Sequence, residues 1–232
     1  MLPKGILFDF DGVVVDSAES HNSAWASAFK ELFATDIAPF PKNYAGKSPM
    51  VIAEYFCSII GKEAQTENLF FLKDKHLDLY FKTPNLLPGV HECTTFFSEK
   101  NIPYGIASNA TKQFLKNSVQ KLNLNFTTIF GLQDYEKPKP APEAYIKLAK
   151  ALGFKKNDFK DIWVFEDSLT GTTAAKLAGM IPIGISSQYS DKDLRKAGSL
   201  LVFPTLLEAY HYLKKTQSQI TQNADKMIKK FS

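Results

Sequence analysis

The sequence predicts an α/β fold: a doubly wound parallel sheet with an all-helical segment inserted near its start. Short apolar runs recur and end in polar residues, strand and helix patterns alternate from about residue 84, and residues 17–83 show only helical patterns. Alternating strands and helices are typical of a parallel sheet covered on both faces. We therefore expect a core domain formed by residues 1–16 and 84–232, and a helical domain over residues 17–83.

The first predicted strand is the apolar run at residues 6–8, which is followed by Asp9 and, two residues later, Asp11. An uninterrupted apolar run is typical of a strand that is covered on both faces. Ionised carboxylates cannot remain inside such a strand, so we expect both acids where it leaves the sheet. Taken alone, Asp-x-Asp-Gly would equally suit a tight turn with solvated acids.

The inserted segment contains three stretches with apolar residues at helical spacing, at about residues 17–33, 51–59 and 69–80. This spacing predicts three helices that share an apolar interior. Ser48 and Pro49 are typical of a helix start, and Gly61 is typical of a helix end.

The rest of the chain alternates between strand and helix patterns, which predicts a Rossmann-like core. Strands are expected at residues 102–107, 126–130, 162–165, 181–185 and 200–203. Ser108 and Asn109 follow one of them, and Glu166 and Asp167 follow another. A last helix is expected over residues 206–213, and the polar tail after it is either a solvated helix or frayed.

The composition is that of an ordinary globular protein, with 44% hydrophobic and 22% charged residues among 232. The net charge of +4 comes without a dense basic run, so we expect no nucleic-acid partner. No stretch is long and apolar enough for a signal peptide or a membrane span, which predicts no membrane partner and a cytoplasmic location. Cys57 and Cys93 are expected to be reduced core residues. The oligomeric state, monomer or dimer, stays open.

Four carboxylates are expected to meet at one edge of the sheet, because the carboxyl ends of parallel strands share that edge. They are Asp9, Asp11, Glu166 and Asp167. Such a group repels itself strongly and needs cations nearby. Lys137 and a Mg²⁺ ion would supply the positive charge, since Mg²⁺ prefers oxygen ligands.

Four motifs occur in a fixed order along the chain: Asp-x-Asp-Gly-Val-x-x-Asp-Ser, Ser-Asn, Lys-Pro-x-Pro and Glu-Asp-Ser-x-x-Gly. Each is weak alone, but the ordered set, from about residue 5 to 185, resembles the haloacid dehalogenase (HAD) superfamily. The helical insertion after the first motif resembles the C1-type cap of the phosphatase and β-phosphoglucomutase branch. The resemblance implies a phosphoryl-transfer enzyme whose cap closes over the site.

The resemblance implies catalytic roles for the residues at the first two motifs. Asp9 would attack phosphorus and form an aspartyl-phosphate, and Asp11 would protonate the leaving oxygen and later deprotonate water. Ser108 would hydrogen-bond the transferring phosphoryl group, and Asn109 would help to position it. Without the other motifs, Ser108 and Asn109 would be better explained as a cap of the next helix.

The resemblance also implies a lysine and a metal site. Lys137 would neutralise Asp9 and a phosphate oxygen. It is preferred to Lys139 because the functional lysine stands first in Lys-Pro-x-Pro. Asp9, Asp167 and the backbone carbonyl of Asp11 would bind Mg²⁺, and Glu166 would support them.

Within the family, Asp11 argues against dehalogenation, in which the leaving halide needs no proton. Phosphonate hydrolysis is disfavoured because no cap lysine can be assigned to form a Schiff base. A phosphatase is preferred, with a β-phosphoglucomutase-like mutase as the alternative. His21 and Trp25 match such mutases, but Ala45 and Pro49 stand where the mutases carry Lys and Arg.

The substrate is expected to be a small phosphorylated metabolite, because a cap of this kind restricts the entry of bulky polymers. Asn109, His21 and the cap-loop residues Gly46, Lys47 and Ser48 are the candidate substrate-binding residues. Lys47 could replace one of the missing cationic contacts. A further alternative is a non-catalytic, phosphate-binding regulatory module, although no acid of the motifs is missing.

Overall fold

The computed structural model describes residues 2–40, 44–81 and 85–231, and for residues 220–231 only the backbone. Its strands are β1 (Gly5–Phe8), β2 (Val15–Asp16), β3 (Asn85–Leu86), β4 (Tyr104–Ala107), β5 (Ile129–Phe130), β6 (Ile162–Glu166), β7 (Ile181–Ile185) and β8 (Leu201–Phe203). Its helices are α1 (Ala18–Phe33), α2 (Pro49–Ile59), α3 (Thr66–Tyr80), α4 (Val90–Glu99), α5 (Lys112–Lys121), α6 (Glu143–Ala151), α7 (Leu169–Leu177), α8 (Asp191–Ala197) and α9 (Leu206–Phe231).

The main sheet has six parallel strands in the order β5-β4-β1-β6-β7-β8. The first strand of the chain is therefore central, between β4 and β6, and all four of its residues are buried. The predicted α/β class and the parallel sheet are confirmed.

Helices cover both faces of the sheet, as alternation along β1 requires. Ile6 and Phe8 face one apolar cluster, which includes residues of α4, α5 and α9. Leu7 faces a second cluster, which includes residues of α6 and α7. Phe8 stacks on Phe165 of β6 with their ring centroids 5.4 Å apart. The carboxyl end of β1 is thus held rigidly from both faces.

The inserted helices α1, α2 and α3 pack around an apolar cluster of their own, which includes Trp25, Phe56 and Leu69. A short antiparallel pair, β2 with β3, stands where the chain enters and leaves this helical unit. Sequence patterns did not predict this pair, because two-residue strands carry no periodicity. The expected boundary at residues 83 and 84 falls outside the described residues, and the division into two domains stays a prediction.

Two elements differ in length from the expectation. Strand β5 is confined to Ile129–Phe130, because Phe126 instead packs edge-on against Phe8, with ring centroids 5.5 Å apart. Helix α9 runs on to Phe231. The tail contains no glycine or proline to end it.

The cysteines and the helices can be compared with what the sequence predicts. Cys57 and Cys93 are buried and unpaired, as expected for reduced core thiols. Within the described part of the chain, no helix combines the length and apolarity that a bilayer span would require.

Candidate active site

The candidate site lies at the carboxyl edge of the main sheet, where the sequence predicts it. Asp9 directly follows β1, Ser108 and Asn109 follow β4, Glu166 ends β6, and Asp167 comes next. All five are buried. Ligands of open α/β sheets bind at this edge, so these side chains lie where chemistry is expected.

A buried lysine connects two of these acids, and it is Lys139. Its Nζ lies 2.6 Å from Asp9 Oδ1 and 2.7 Å from Glu166 Oε1, and its side chain is 2% exposed. Lys137 is exposed, and its backbone N–H donates to Glu143 Oε2 at 2.9 Å. The structure therefore corrects the choice of Lys137: Lys139 occupies the position expected of the functional lysine.

The misassignment has a physical reason. Lys-Pro-x-Pro occurs twice in overlapping register, starting at Lys137 and at Lys139. The second copy leads directly into α6. The side chain of Asn109 binds both the N–H and the carbonyl of Lys139, the first residue of this copy. Asn109 Oδ1 accepts from the Lys139 N–H at 3.0 Å, and Asn109 Nδ2 donates to the Lys139 carbonyl at 3.3 Å. The position of the motif relative to the helix start was the signal that favoured Lys139.

Tyr145 and Ser168 also belong to the site, although the sequence indicated only a core aromatic and a motif serine. The Tyr145 hydroxyl donates to Glu166 Oε1 at 2.5 Å and accepts from Lys139 Nζ at 2.7 Å. The backbone N–H and hydroxyl of Ser168 donate to Glu166 Oε2 at 3.2 and 2.9 Å. Both oxygens of Glu166 therefore accept hydrogen bonds, and one of these bonds comes from Lys139.

Three buried acids form a cluster that could hold a cation. One carboxylate oxygen each from Asp9, Glu166 and Asp167 lies within 4.8 Å of the others. Burial raises the pKa of Asp9, and the adjacent Lys139 offsets this only in part. Burial also raises the pKa of Asp167, and repulsion from Asp9 and Glu166 adds to the effect. When all three acids are ionised, the cluster carries more negative charge than one lysine can balance.

The donor set fits a hard divalent cation such as Mg²⁺, because all of its ligand atoms are carboxylate oxygens. Asp9 and Asp167 are the natural ligands, since the oxygens of Glu166 already accept hydrogen bonds. The side chain of Asp11 is not part of this cluster.

Gly12 allows Asp167 to approach the first motif closely. Its φ is +77°, and a Cβ atom there would lie 1.9 Å from Asp167 Oδ2. Ser187 Oγ lies 2.7 Å from the Gly12 carbonyl and 3.1 Å from Asp167 Oδ2. The glycine of Asp-x-Asp-Gly is therefore needed for both its backbone conformation and the space.

Asp11 is held from the start of α1. Ser17 Oγ donates to Asp11 Oδ1 at 2.5 Å, and His21 Nε2 lies 3.2 Å from the same oxygen. Burial opposes ionisation of Asp11, but His21, Ser17 and Lys73 together hold its pKa below the usual value. Burial, with the charge of Lys73, lowers the pKa of His21. The contacts around Asp11 therefore favour its carboxylate form.

A cavity of about 330 Å³ joins these residues to the helical unit. Gly46 and Lys47 line it, as expected for a substrate-facing loop, and so does His21. Ser48 does not: it is buried at the start of α2, where its carbonyl accepts from the Ile52 N–H at 3.3 Å. The structure therefore does not place Ser48 in the cavity wall, unlike its neighbours Lys47 and Pro49.

The Gly46 loop is attached to the core. The Gly46 carbonyl accepts from Asn109 Nδ2 at 3.0 Å and from Thr170 Oγ1 at 2.9 Å. Its φ is +81°, and a Cβ atom there would lie 2.4 Å from Ser168 Cβ. Only glycine combines this conformation with such a close approach.

Residues 6–185 match the family model described as haloacid dehalogenase-like hydrolase. The chain belongs to this family. This confirms the resemblance drawn from the four motifs.

Individual relatives of this HAD-family chain agree with that assignment. It is 29% identical over 184 residues to YhcW of Bacillus subtilis, a protein named as an inferred phosphatase. The match covers 76% of this chain and 80% of YhcW. It is 28% identical over 193 residues to β-phosphoglucomutase of Bacillus subtilis. That match covers 78% of this chain and 83% of the mutase. The crystal structure of a hydrolase from Pseudomonas syringae superposes with a TM-score of 0.79 at 21% identity, covering 91% of this chain and 98% of that one.

Proposed function

We propose that this HAD-family protein hydrolyses a small phosphate monoester, with Mg²⁺, through an aspartyl-phosphate on Asp9. The observation that supports this most strongly is that four side chains from three separate segments of the chain line one cavity. They are Asp9, Asp11, Lys139 and Asp167. The set provides a nucleophile, an acid/base, a fixed cation and a metal ligand.

The first step uses the groups around Asp9. The Asp9 carboxylate attacks phosphorus, and Lys139, 2.6 Å from Asp9 Oδ1, balances negative charge on the transferring group. Ser108 Oγ accepts from the Ala110 N–H at 3.2 Å, which leaves its own proton free for a phosphoryl oxygen. When bound, Mg²⁺ on Asp9 and Asp167 would supply the remaining positive charge and polarise the phosphoryl group.

Proton transfer falls to Asp11. The dianionic phosphate raises the pKa of a neighbouring carboxyl, so substrate binding favours the protonated acid that the leaving oxygen needs. After the alcohol leaves, Asp11 is a carboxylate again and can take a proton from the attacking water. Ser17 and His21 hold its Oδ1 during both steps.

Asn109 also lines the cavity, and its side-chain amide contacts two other parts of the site. Its amide oxygen accepts from Lys139 and its amide nitrogen donates to Gly46. Asn109 therefore positions the catalytic lysine and attaches the loop over the cavity.

We further propose that helices α1, α2 and α3 act as the cap that selects the substrate. The Gly46 loop of this unit closes on the core, and the cavity of about 330 Å³ suits a small metabolite. A closed cap excludes bulk water from the phosphoryl group.

A phosphatase is favoured over a mutase because Ala45 and Pro49 line the cavity without any charge. A mutase must hold a second phosphate, and in the related mutases cations stand at these two positions. The mutase remains the second candidate because His21 and Trp25 match that branch and a β-phosphoglucomutase is among the relatives. A non-catalytic phosphate-binding module is the third and least supported, since every acid of the motifs is present.

The experiment measures phosphate release from a panel of sugar phosphates, glycerol phosphates and p-nitrophenyl phosphate, with Mg²⁺ or with excess EDTA. Mg²⁺-dependent release is the expected result. Phosphate release at the same rate in excess EDTA would contradict the proposed requirement for Mg²⁺. If no ester releases phosphate, isomer formation from β-glucose 1-phosphate with glucose 1,6-bisphosphate as primer would favour the mutase, and its absence would favour the binding module.

A further inference from the structure

Lys73 is a buried cation in the cavity wall to which the proposed chemistry assigns no role. It lies on α3, lines the cavity and is 1% exposed. Among the residues that the structure describes, its ammonium makes no hydrogen bond and no ion pair. Its nearest recorded partner is the ring of Trp25, whose centroid lies 5.6 Å from Nζ. The sequence patterns assign Lys47 of the helical unit to the site, but not Lys73.

A buried ammonium without a partner is costly, because it has lost its hydration without gaining a counter-charge. The acids closest to it interact elsewhere: Asp11 with Ser17 and His21, and Asp74 with Thr111 Oγ1 at 3.3 Å. A cation–π contact with Trp25 compensates only in part. The three N–H donors of Lys73 are therefore available to a ligand in the cavity.

Lys73 lies on the side of the cavity where the leaving group must sit. The general acid, Asp11, has to be next to the leaving oxygen. Lys73 lines the same cavity as Asp11, and its Trp25 contact is one helical turn after His21, whose Nε2 lies 3.2 Å from Asp11 Oδ1. The phosphoryl group itself lies at Asp9 and Lys139, in the core.

We propose that Lys73 binds a second oxyanion, carried by the leaving group, and so selects phosphate esters whose alcohol part is itself acidic. The oxyanion is a carboxylate or a second phosphate. This inference rests on the proposed function. It makes Lys73 a residue that determines substrate specificity.

The main competing role for Lys73 is electrostatic support of Asp11. That role would lower kcat for every ester when the charge is removed, whatever the leaving group carries. A specificity role instead raises KM, and only for esters with a second oxyanion. The two roles therefore separate in the kinetic constants.

The test compares esters that differ only in this group. 3-Phosphoglycerate and glycerol 3-phosphate differ by a carboxylate, and glucose 1,6-bisphosphate and glucose 6-phosphate differ by a phosphate. They are compared in the wild type, Lys73→Met, Lys73→Arg and the control Lys75→Met. Lys75 is exposed on the same helix, so its substitution removes the same charge from outside the cavity.

The expected result is a preference of tenfold or more for at least one oxyanion-bearing ester in the wild type. Lys73→Met abolishes this preference, mainly by raising KM for the oxyanion-bearing ester. Lys73→Arg keeps part of the preference, and Lys75→Met leaves it unchanged. The pair that shows the preference identifies carboxylate or phosphate. An unchanged preference in Lys73→Met, or an equal fall in kcat for all four esters, overturns the proposal.

Binding of the same esters to Asp9→Asn and to Asp9→Asn/Lys73→Met, measured by calorimetry, separates this inference from the proposed function. The affinity ratio within each pair reports on Lys73 even if no ester is hydrolysed. Failure of the wild type to release phosphate from any of these esters or from p-nitrophenyl phosphate would contradict the proposed function alone. Equal affinity ratios in the two backgrounds would contradict the role of Lys73 alone. Thermal unfolding of each variant verifies that it is folded.

Discussion

Lys139 Nζ lies 2.6 Å from Asp9 Oδ1, although 130 residues separate the two along the chain. The ion pair is almost completely shielded from water, and Glu166 and Tyr145 hold the lysine from the other side. This arrangement makes Lys139 a fixed positive charge beside the proposed nucleophile.

Lys139→Met is expected to lower kcat for p-nitrophenyl phosphate by roughly 10²–10³, as the loss of a preorganised charge contact does in other active sites. It also leaves Asp9 and Glu166 buried without their shared cation, so the free energy of unfolding in urea should fall by roughly 3–5 kcal/mol. Lys137→Met is the matched control. Its side chain is exposed, and both quantities should stay near the wild-type values. Equal losses of kcat and of stability in the two variants would contradict the assignment of Lys139 as the functional lysine.

Asp167→Asn is expected to abolish stabilisation by Mg²⁺. Wild-type Tm should rise with the Mg²⁺ concentration, because a cation that binds only the folded state stabilises it by about 2.7 kcal/mol at 100 times Kd. Without Mg²⁺ the variant should be more stable than the wild type, since repulsion from Asp9 and Glu166 disappears. Calorimetric scans with EDTA and with Mg²⁺ measure both effects. A similar Mg²⁺ shift in both proteins would exclude Asp167 as a ligand.

Gly46→Ala is expected to weaken loop closure. The new Cβ atom would meet Ser168 and Thr170 at 2.4 and 2.6 Å, so the loop must withdraw from the core. KM should rise and kcat should fall, with a smaller change in Tm. Gly61→Ala is the control, because Gly61 also has a positive φ (+64°) but nothing within 4 Å of its Cβ position. If the two variants have the same kinetic constants, the Gly46 contacts do not matter for closure.

Lys73→Met is expected to stabilise the protein at neutral pH. Burial lowers the pKa of Lys73 from 10.5 to about 8, which corresponds to a penalty of about 3 kcal/mol while the amine is charged in both states. Between pH 8 and 10.5 the folded amine loses its proton and the unfolded one keeps it, so wild-type stability rises relative to the variant.

Urea unfolding of both proteins at pH 7 and at pH 10 measures this difference. The advantage of Lys73→Met should be largest at pH 7 and should shrink at pH 10. Lys75→Met should show no comparable gain at either pH. Destabilisation by Lys73→Met at pH 7 would mean that the charge is compensated within the protein.

The sequence was sufficient for the sheet and for the acids at its edge. Buried parallel strands have continuous apolar runs, and ionised acids can follow them only where they leave the sheet, so Asp9 and Asp167 could be placed. The choice between Lys137 and Lys139 could not be made in this way. Both begin the same local motif; the two copies differ in sequence only by their distance from the helix start, and the contact with Asp9 in the folded chain decides for Lys139.

Two other residues show the same limit. Tyr145 lies on the apolar face of its helix, so periodicity predicts burial but not the partners of its hydroxyl. Lys73 shares one buried row with Leu69 and Leu77, at i and i±4, and this spacing was the available signal. A charged residue in such a row conflicts with the local pattern, and conflicts of this kind concentrate at functional sites.

The most direct test of the whole account is the rate of phosphate release by Asp9→Asn beside that of the wild type, with Mg²⁺ and the best ester. Asparagine has nearly the same shape but is not a competent nucleophile, and circular dichroism and Tm verify that the variant is folded. We predict Mg²⁺-dependent release by the wild type and a loss of at least about 10³-fold in Asp9→Asn. Release by folded Asp9→Asn at a rate near that of the wild type would contradict Asp9 as the nucleophile.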